Sequence, residues 1–314
     1  MIELVQNTPD VTQNFWGFDG ENIEDAIRMV SESNCRCLSL ELPHDSKHKD
    51  LDFLLAFPEI SSLSVRSHWP VMIDASAIGK IETLEGLGFS VAGATGLNID
   101  RLQNLTSLSL GYVKEIFFPK SPMPRINILD IEHFDGVNLE VLKNFPSLQN
   151  FDIRESRKLV STREIETCRD MKELKILYCS NLVDIESISA LYQLNELEFH
   201  SLKKLSLIDP IFEVYSLRKI IIEKISPVKQ IKSIGNLRNL EFLVMSKSEI
   251  IDGDLGIVLD MPKLHHCYIR PNKIHYRPTA SYVYEVVGSR DPEFTKRKHQ
   301  MALSDKLWAR RNKY

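Results

Sequence analysis

Cysteine is scarce in this 314-residue chain, with five residues at positions 35, 37, 168, 179 and 267. An odd, scattered set does not read as the paired framework of a small secreted scaffold. Cys35, Cys179 and Cys267 stand in slots where neighbouring segments carry Leu or Ile, so reduced core cysteines are expected. No run approaches the roughly 20 apolar residues of a membrane span. The opening stretch, MIELVQNTPDVTQNFWGFDGENIED, has no basic start followed by an apolar segment, so no secretory signal is expected. A soluble, cytoplasmic chain, monomeric when free and without membrane contact, is the expectation. Charge of one sign is missing as well: 39 Lys and Arg stand against 43 Asp and Glu, a net charge of -4. That balance gives no reason to expect a nucleic-acid partner.

Catalytic signatures are absent too. The chain has no G-x-S-x-G, no phosphate-binding P-loop, no G-x-G-x-x-G and no H-E-x-x-H. No catalytic residue and no cofactor are assigned. Cys35 and Cys37 would chelate poorly from a strand, and His265 and His266 would point opposite ways, so no metal site is assigned either. Asn104-Leu105-Thr106 matches a glycosylation sequon, which carries no weight without a secretory signal.

What the chain does have is a repeat. The pattern apolar-x-x-apolar-x-apolar returns eleven times, anchored on Leu38, Leu63, Leu84, Leu108, Leu129, Phe151, Leu177, Leu197, Ile220, Leu243 and Cys267, at gaps of 20 to 26 residues. Self-similarity at that period predicts a solenoid in which each unit adds one short strand to a parallel sheet. Alternation then sorts each strand: the anchor and the residue two later point inward, their neighbours outward. After the strand, apolar residues step every three positions, as in Leu182, Ile185, Ile188, Leu191, Leu194, Leu197 and again from Ile225 to Leu243. Period three fits a 3₁₀ return path better than an α-helix. Gly86 would fall in an inward slot of the third repeat, which marks a local irregularity there.

Stretches such as Leu174-Lys-Ile-Leu177-Tyr-Cys179-Ser-Asn-Leu182-Val-Asp-Ile185 resemble the leucine-rich repeat family, and within it the bacterial internalin-type repeats, over about residues 35 to 272. The resemblance implies an α/β solenoid, a horseshoe of about eleven repeats with a parallel concave sheet, a 3₁₀ or irregular convex side and capped ends. One departure concerns the position five after the anchor, where the family often places Asn and this chain does so only at Asn272. The backbone groups such a ladder serves must be satisfied in another way. Residues 1–34 are expected to cap one end through an amphipathic helix within Asn22 to Ser33. Residues 273–314 are expected to cap the other, through a strand over Tyr282 to Val287 and then a basic helix opened by Asp291-Pro292. The stretch from Gly288 to Tyr314 holds eight Lys or Arg against three acids.

The outward residues of the middle strands form the candidate binding face. They include Asp130, Glu132, Asp152, Ile176, Tyr178, Ser180, Glu196, Glu198, His200, Ile221 and Glu223, followed by an aromatic and apolar end at Phe242, Val244 and Tyr268. Carboxylates beside exposed aromatics suit a protein partner with a basic surface, since charge steers the encounter and aromatic anchors supply buried contact. The expected function is non-catalytic binding of one protein. Internalin-like repeats imply a bacterial setting, in which an immunity or inhibitor protein that neutralises a toxin domain is the most concrete form. The alternative is an adaptor or scaffold that recruits proteins into a larger complex, with the basic C-terminal helix as second contact. An enzyme would require the irregular third repeat to form a pocket with convergent polar groups.

Overall fold

The computed structural model describes residues 3–5, 15–18, 23–32, 36–57, 59–112 and 118–294. Among them one sheet runs strictly in chain order: β1 (Glu3–Val5), β2 (Phe15–Phe18), β3 (Cys37–Glu41), β4 (Ser62–Arg66), β5 (Gly86–Ser90), β6 (Ser107–Gly111), β7 (Ile128–Glu132), β8 (Asn150–Arg154), β9 (Glu173–Leu177), β10 (Glu196–His200), β11 (Lys219–Glu223), β12 (Phe242–Ser246) and β13 (His266–Arg270). Strand β1 pairs antiparallel with β2, and every later pairing is parallel. Helix α1 (Ile23–Glu32) lies between β2 and the first regular repeat. The resulting object is a leucine-rich-repeat horseshoe whose eleven repeat strands are β3 to β13.

Each repeat strand is five residues long, and its second and fourth side chains are buried in every case, from Leu38 and Leu40 to Cys267 and Ile269. The return segments are short 3₁₀ helices at Asp52–Ala56, Ile78–Lys80, Glu140–Asn144, Ile165–Thr167, Glu186–Ala190, Asp209–Glu213 and Lys232–Asn236, with one short α-helix, α2 (Gly256–Leu259). In a 3₁₀ turn residues three apart eclipse each other, which is why Leu182, Ile185, Ile188, Leu191 and Leu194 all reach the same core.

Two of the expected registers are corrected. In the third repeat the inward pair is Leu87 and Phe89, with Gly86 outward and Leu84 buried in the preceding turn. An inward Gly86 would have left a hole that Phe89 now fills. In the seventh repeat the inward pair is Leu174 and Ile176, so Ile176 belongs to the core and not to the candidate binding face. Both phases of Leu-Lys-Ile-Leu-Tyr-Cys present apolar residues at alternate positions. Pairing of Leu174 with Phe151 and of Ile176 with Ile153 chooses between them. With these corrections the strands begin at residues 37, 62, 86, 107, 128, 150, 173, 196, 219, 242 and 266, so the spacing narrows to 21–25 residues.

The missing asparagines are replaced by two devices. From β6 to β12 the residue after each strand turns left-handed: Tyr112, His133, Glu155, Tyr178, Ser201, Lys224 and Lys247 have φ between 52° and 59°. All but Lys247 still donate their N–H to the next repeat's carbonyl, as Tyr178 N does to His200 O at 2.7 Å. Buried serines then take the place of the ladder. The Ser156 hydroxyl accepts from Phe134 N and donates to Arg154 O, both at 3.1 Å. Ser248 does the same between Ile225 N and Ser246 O, at 3.1 and 3.2 Å.

The segment expected as a final strand is helical: α3 spans Ala280–Gly288. Thr279 caps it by accepting from Tyr282 N at 3.2 Å, and Ala280, Val283 and Val287, one helical face, are buried against the last repeat. That face overrides the strand propensity of Tyr-Val-Tyr-Glu-Val-Val. Arg290 ties the cap down, its guanidinium donating to Leu259 O, Met261 O and Leu264 O at 2.5–3.0 Å. Asp291 accepts from Glu293 N at 2.9 Å, as an N-cap does, and Phe294 packs on Tyr284. The basic helix expected beyond it falls on residues 295–314, outside the described residues.

Candidate partner-binding face

Three outward columns cross the concave face, from the first, third and fifth residue of each strand. From β3 to β6 they are mostly small: Ser39, Ser64, Gly88 and Ser109 make up the central column. From β7 onward that column reads Asp130, Asp152, Lys175, Glu198, Ile221, Val244 and Tyr268, each in register with the next. Strands about 4.8 Å apart make this stretch about 29 Å long.

Ten of the eleven residues expected at the site stand on outward strand positions. Asp130 and Glu132 lie on β7, Asp152 on β8, Glu196, Glu198 and His200 on β10, Ile221 and Glu223 on β11, Phe242 on β12, and Tyr268 on β13. Tyr178 does not. It follows β9 at the left-handed corner, 55% exposed, and stands on the rim of the face. Ser180, also expected to face outward from that strand, lies beyond its end. The true outward residues of β9 are Glu173, Lys175 and Leu177. The even spacing of β8 to β12 is the signal that finds them. The rim also carries Tyr112 stacked on His133, with ring centroids 4.2 Å apart.

Outward positions of β7 to β11 carry seven carboxylates (Asp130, Glu132, Asp152, Glu173, Glu196, Glu198 and Glu223) against Arg154, Lys175 and Lys219. Several are paired on the spot. Arg154 reaches Asp152 at 2.6 Å, Lys219 reaches Glu196 at 2.7 Å, and Lys247 reaches Glu223 at 2.6 Å from the rim. The Lys247 hydrogen bond holds the Glu223 carboxyl below its usual range, and the bond to Glu196 raises Lys219. His200 sits 2.7 Å from Glu198 and 3.8 Å from Glu223.

Asp130 and Asp152 differ from the rest. They are cross-strand neighbours, and burial raises the pKa of both; for Asp130 the Asp152 charge adds to the effect, while for Asp152 the neighbouring Arg154 opposes it. Like charges facing each other across a parallel pair cost stability. Arg154, 2.6 Å from Asp152, and Lys175 offset part of that cost for both carboxylates.

The apolar end is flatter. Phe242 and His266 stack with centroids 4.1 Å apart and planes within 3° of parallel. Tyr268 meets Tyr284 of α3 edge-on at 6.3 Å, with the Arg270 guanidinium 5.6 Å from the Tyr268 ring. Ile221 and Val244 are half-buried beside them.

A cleft of about 710 Å³ lies beyond the strand ends of the third and fourth repeats, lined by Met72, Leu97, Ile99, Tyr112 and Phe118 among others. Its polar groups do not converge. Asp100 Oδ1 accepts from Lys120 N and Ser121 N at 2.9 and 3.0 Å, and Asn98 Oδ1 from Asp100 N at 3.0 Å, so both acceptors are turned into the loop backbone. Among the described residues no group of three His, Cys, Asp or Glu is placed to hold a metal ion, and no helix is long and apolar enough to cross a membrane. The four described cysteines are free and buried. Burial pushes the Cys168 thiol up to about 11 and those of Cys179 and Cys267 up to about 12.

No protein-family model matches the chain, and no curated protein matches it. Solved structures do. An internalin, InlF, from Listeria monocytogenes superposes with a TM-score of 0.53 at 15% identity, over 75% of this chain and 67% of that one. Internalin C2 from the same organism gives 0.46 at 13% identity, over 68% and 83%. A leucine-rich repeat protein of Leptospira interrogans gives 0.37 at 13% identity, over 82% and 88%. At such identities the likeness to InlF concerns architecture alone: the chain has the fold of an internalin-type leucine-rich repeat solenoid.

Proposed function

We infer that the protein is a non-catalytic binding protein whose concave face holds one protein partner with a basic surface. The observation that carries this reading is the change of character along the central column, from Asp130, Asp152 and Glu198, interrupted by Lys175, to Ile221, Val244 and Tyr268. Charge at one end can steer and orient a partner, while half-buried apolar and aromatic side chains at the other can be covered by it. At about 29 Å the strip is long enough to supply much of a standard interface, about 800 Å² on each partner.

A non-enzymatic role is supported by the cleft of the third and fourth repeats, whose acceptors are occupied by backbone amides. Action in a reducing compartment such as the cytoplasm is supported by buried free cysteines that need no oxidising environment. In its most concrete form the protein is an inhibitor that neutralises a toxin domain. That step rests on the internalin-type resemblance and on a face of the size that tight inhibitors use.

The test uses the native protein and a Glu196→Lys, Glu198→Lys variant with an unchanged circular dichroism spectrum. A partner captured from the source cell is purified and titrated into both by calorimetry. A one-to-one complex, at least tenfold weaker for the variant and weakened by salt for the native protein, supports the reading. Equal affinity for both removes the concave face from the function.

A further inference from the structure

The edge along which the repeat strands begin carries a second feature. Four residues before β8 to β13 the chain turns outward after a buried residue, and the exposed residues there are Pro146, Arg169, Tyr192, Tyr215, Arg238 and Pro262. The 3₁₀ cap residues Phe145, Cys168, Leu191, Val214 and Leu237 precede the first five and fix the register. Two tyrosines on successive rungs are therefore bracketed by two arginines, and these by two prolines. Tyr192 is 76% exposed and Tyr215 60%.

The fold makes no use of these four side chains. None enters the core, none has a hydrogen bond or ring contact among the described residues, and neither guanidinium has a carboxylate within ion-pair distance. The nearby carboxylates are already engaged: Asp170 accepts from Gln193 Nε2 at 3.0 Å and Glu241 from Arg218 Nη1 at 3.4 Å. Beneath them the backbone is rigidly stepped, with Asn195 N donating to Lys172 O, Arg218 N to Asn195 O and Glu241 N to Arg218 O, all at 2.8 Å. Single exposed tyrosines are ordinary. A pair in register, on a fixed frame and flanked by unpaired arginines, combines the residue types that dominate protein-binding energetics with little ordering cost on docking.

We propose that Arg169, Tyr192, Tyr215 and Arg238 form a second docking edge for an acidic protein segment. The arginines, about 15 Å apart at one strand spacing per rung, pair with carboxylates, and the tyrosine rings cover apolar side chains between them. Two free guanidiniums on a chain of net charge -4 are too few for the multiple phosphate contacts of nucleic-acid binding. This edge is independent of the concave face. Two surfaces of opposite character suit an adaptor that holds two proteins at once.

The test is fluorescence anisotropy with the full chain and a fluorescein-labelled 12-residue peptide of alternating glutamate and leucine. The native protein binds it, and binding weakens at least tenfold in Arg169→Glu, Arg238→Glu and in Tyr192→Ala, Tyr215→Ala. It is unchanged in a concave-face variant, Asp130→Asn, Glu198→Gln. Both edge variants keep the native melting temperature, because the substituted side chains are exposed outside the core, and the concave-face variant melts no lower than the native protein. Lack of binding by the native protein overturns the proposal, as does equal binding by the edge variants or loss in the concave-face variant. Binding of a 12-nucleotide oligothymidylate with the same dependence on the edge also overturns it and assigns the edge to nucleic acid.

Discussion

Truncation of Ile176 separates the two phases in which the seventh repeat can be threaded. In the phase adopted, Ile176 is fully buried and lies between Ile153 of β8 and Phe199 of β10, its register partners, both fully buried too. Ile176→Ala deletes three carbons, a transfer loss of about 2.4 kcal/mol at roughly 0.8 kcal/mol per methylene. The flanking strands are hydrogen-bonded on both sides and cannot close over the gap, so a cavity cost is added and the total comes to about 3–4 kcal/mol. Lys175→Ala, one residue earlier and facing out, costs within about 0.5 kcal/mol. Tyr178→Ala, exposed at the rim, is expected to be similarly mild. Urea unfolding followed by circular dichroism measures all three. If Ile176→Ala costs under about 1 kcal/mol, or if Lys175→Ala is the more damaging change, the inward assignment of Leu174 and Ile176 is wrong.

Three further outcomes follow from the same geometry. Ser156→Ala leaves the buried Phe134 N–H without its acceptor and lowers stability by about 1–3 kcal/mol in the same assay, whereas a loss below about 0.3 kcal/mol means that the buried serines are not the ladder's substitute. Lys224→Gly relieves a left-handed residue at φ 58° whose side chain is exposed, and is expected to raise stability by about 0.5 kcal/mol, provided the backbone bond to Ser246 O is kept. Asp130→Asn is expected to stabilise the free protein by about 0.5 kcal/mol at pH 7 while weakening the basic partner. Because the folded pKa of Asp130 is raised above 3.8, its ionised form penalises the folded state at neutral pH. The penalty is relieved as pH falls through that raised value, so the advantage of the variant must fade toward pH 4. An advantage that grows on acidification contradicts the burial argument.

The architecture was legible because a solenoid writes its core into the chain at a fixed period. Nine of the eleven anchors fall on inward strand positions, and the two that do not are Leu84 and Leu177. At Leu84 the misplaced phase puts Gly86 inward, an irregularity the sequence itself displays, whereas around Leu177 apolar residues occupy alternate positions in two phases, so local pattern is degenerate and only pairing with the neighbouring rung decides. That degeneracy placed Ile176 on the candidate face instead of in the core and hid Lys175, the cation that interrupts the acidic column. The final helix escaped for a related reason: Tyr282 to Val287 are strand formers taken alone, but Ala280, Val283 and Val287 make a helical face once a last repeat is there to receive it.

The candidate face was legible in its residues but not in its energetics. Alternation alone assigns Asp130 and Asp152 to one column. Only the structure shows that burial raises both pKa values even though Arg154 pairs with Asp152 at 2.6 Å, and that Glu196 and Glu223, carboxylates of the same face, are matched by Lys219 and Lys247. A solvated face has no reason to keep two half-buried carboxylates in register, because a serine or asparagine at either position would fold as well or better. The first four repeats place Ser39, Ser64, Gly88 and Ser109 in the same column, so the scaffold itself tolerates small neutral residues there. A pair that costs stability where the fold offers a cheaper residue is best accounted for by what binds it. On the proposed function, the partner's basic groups would meet the protein between β7 and β8, and its apolar groups would lie toward β12 and β13.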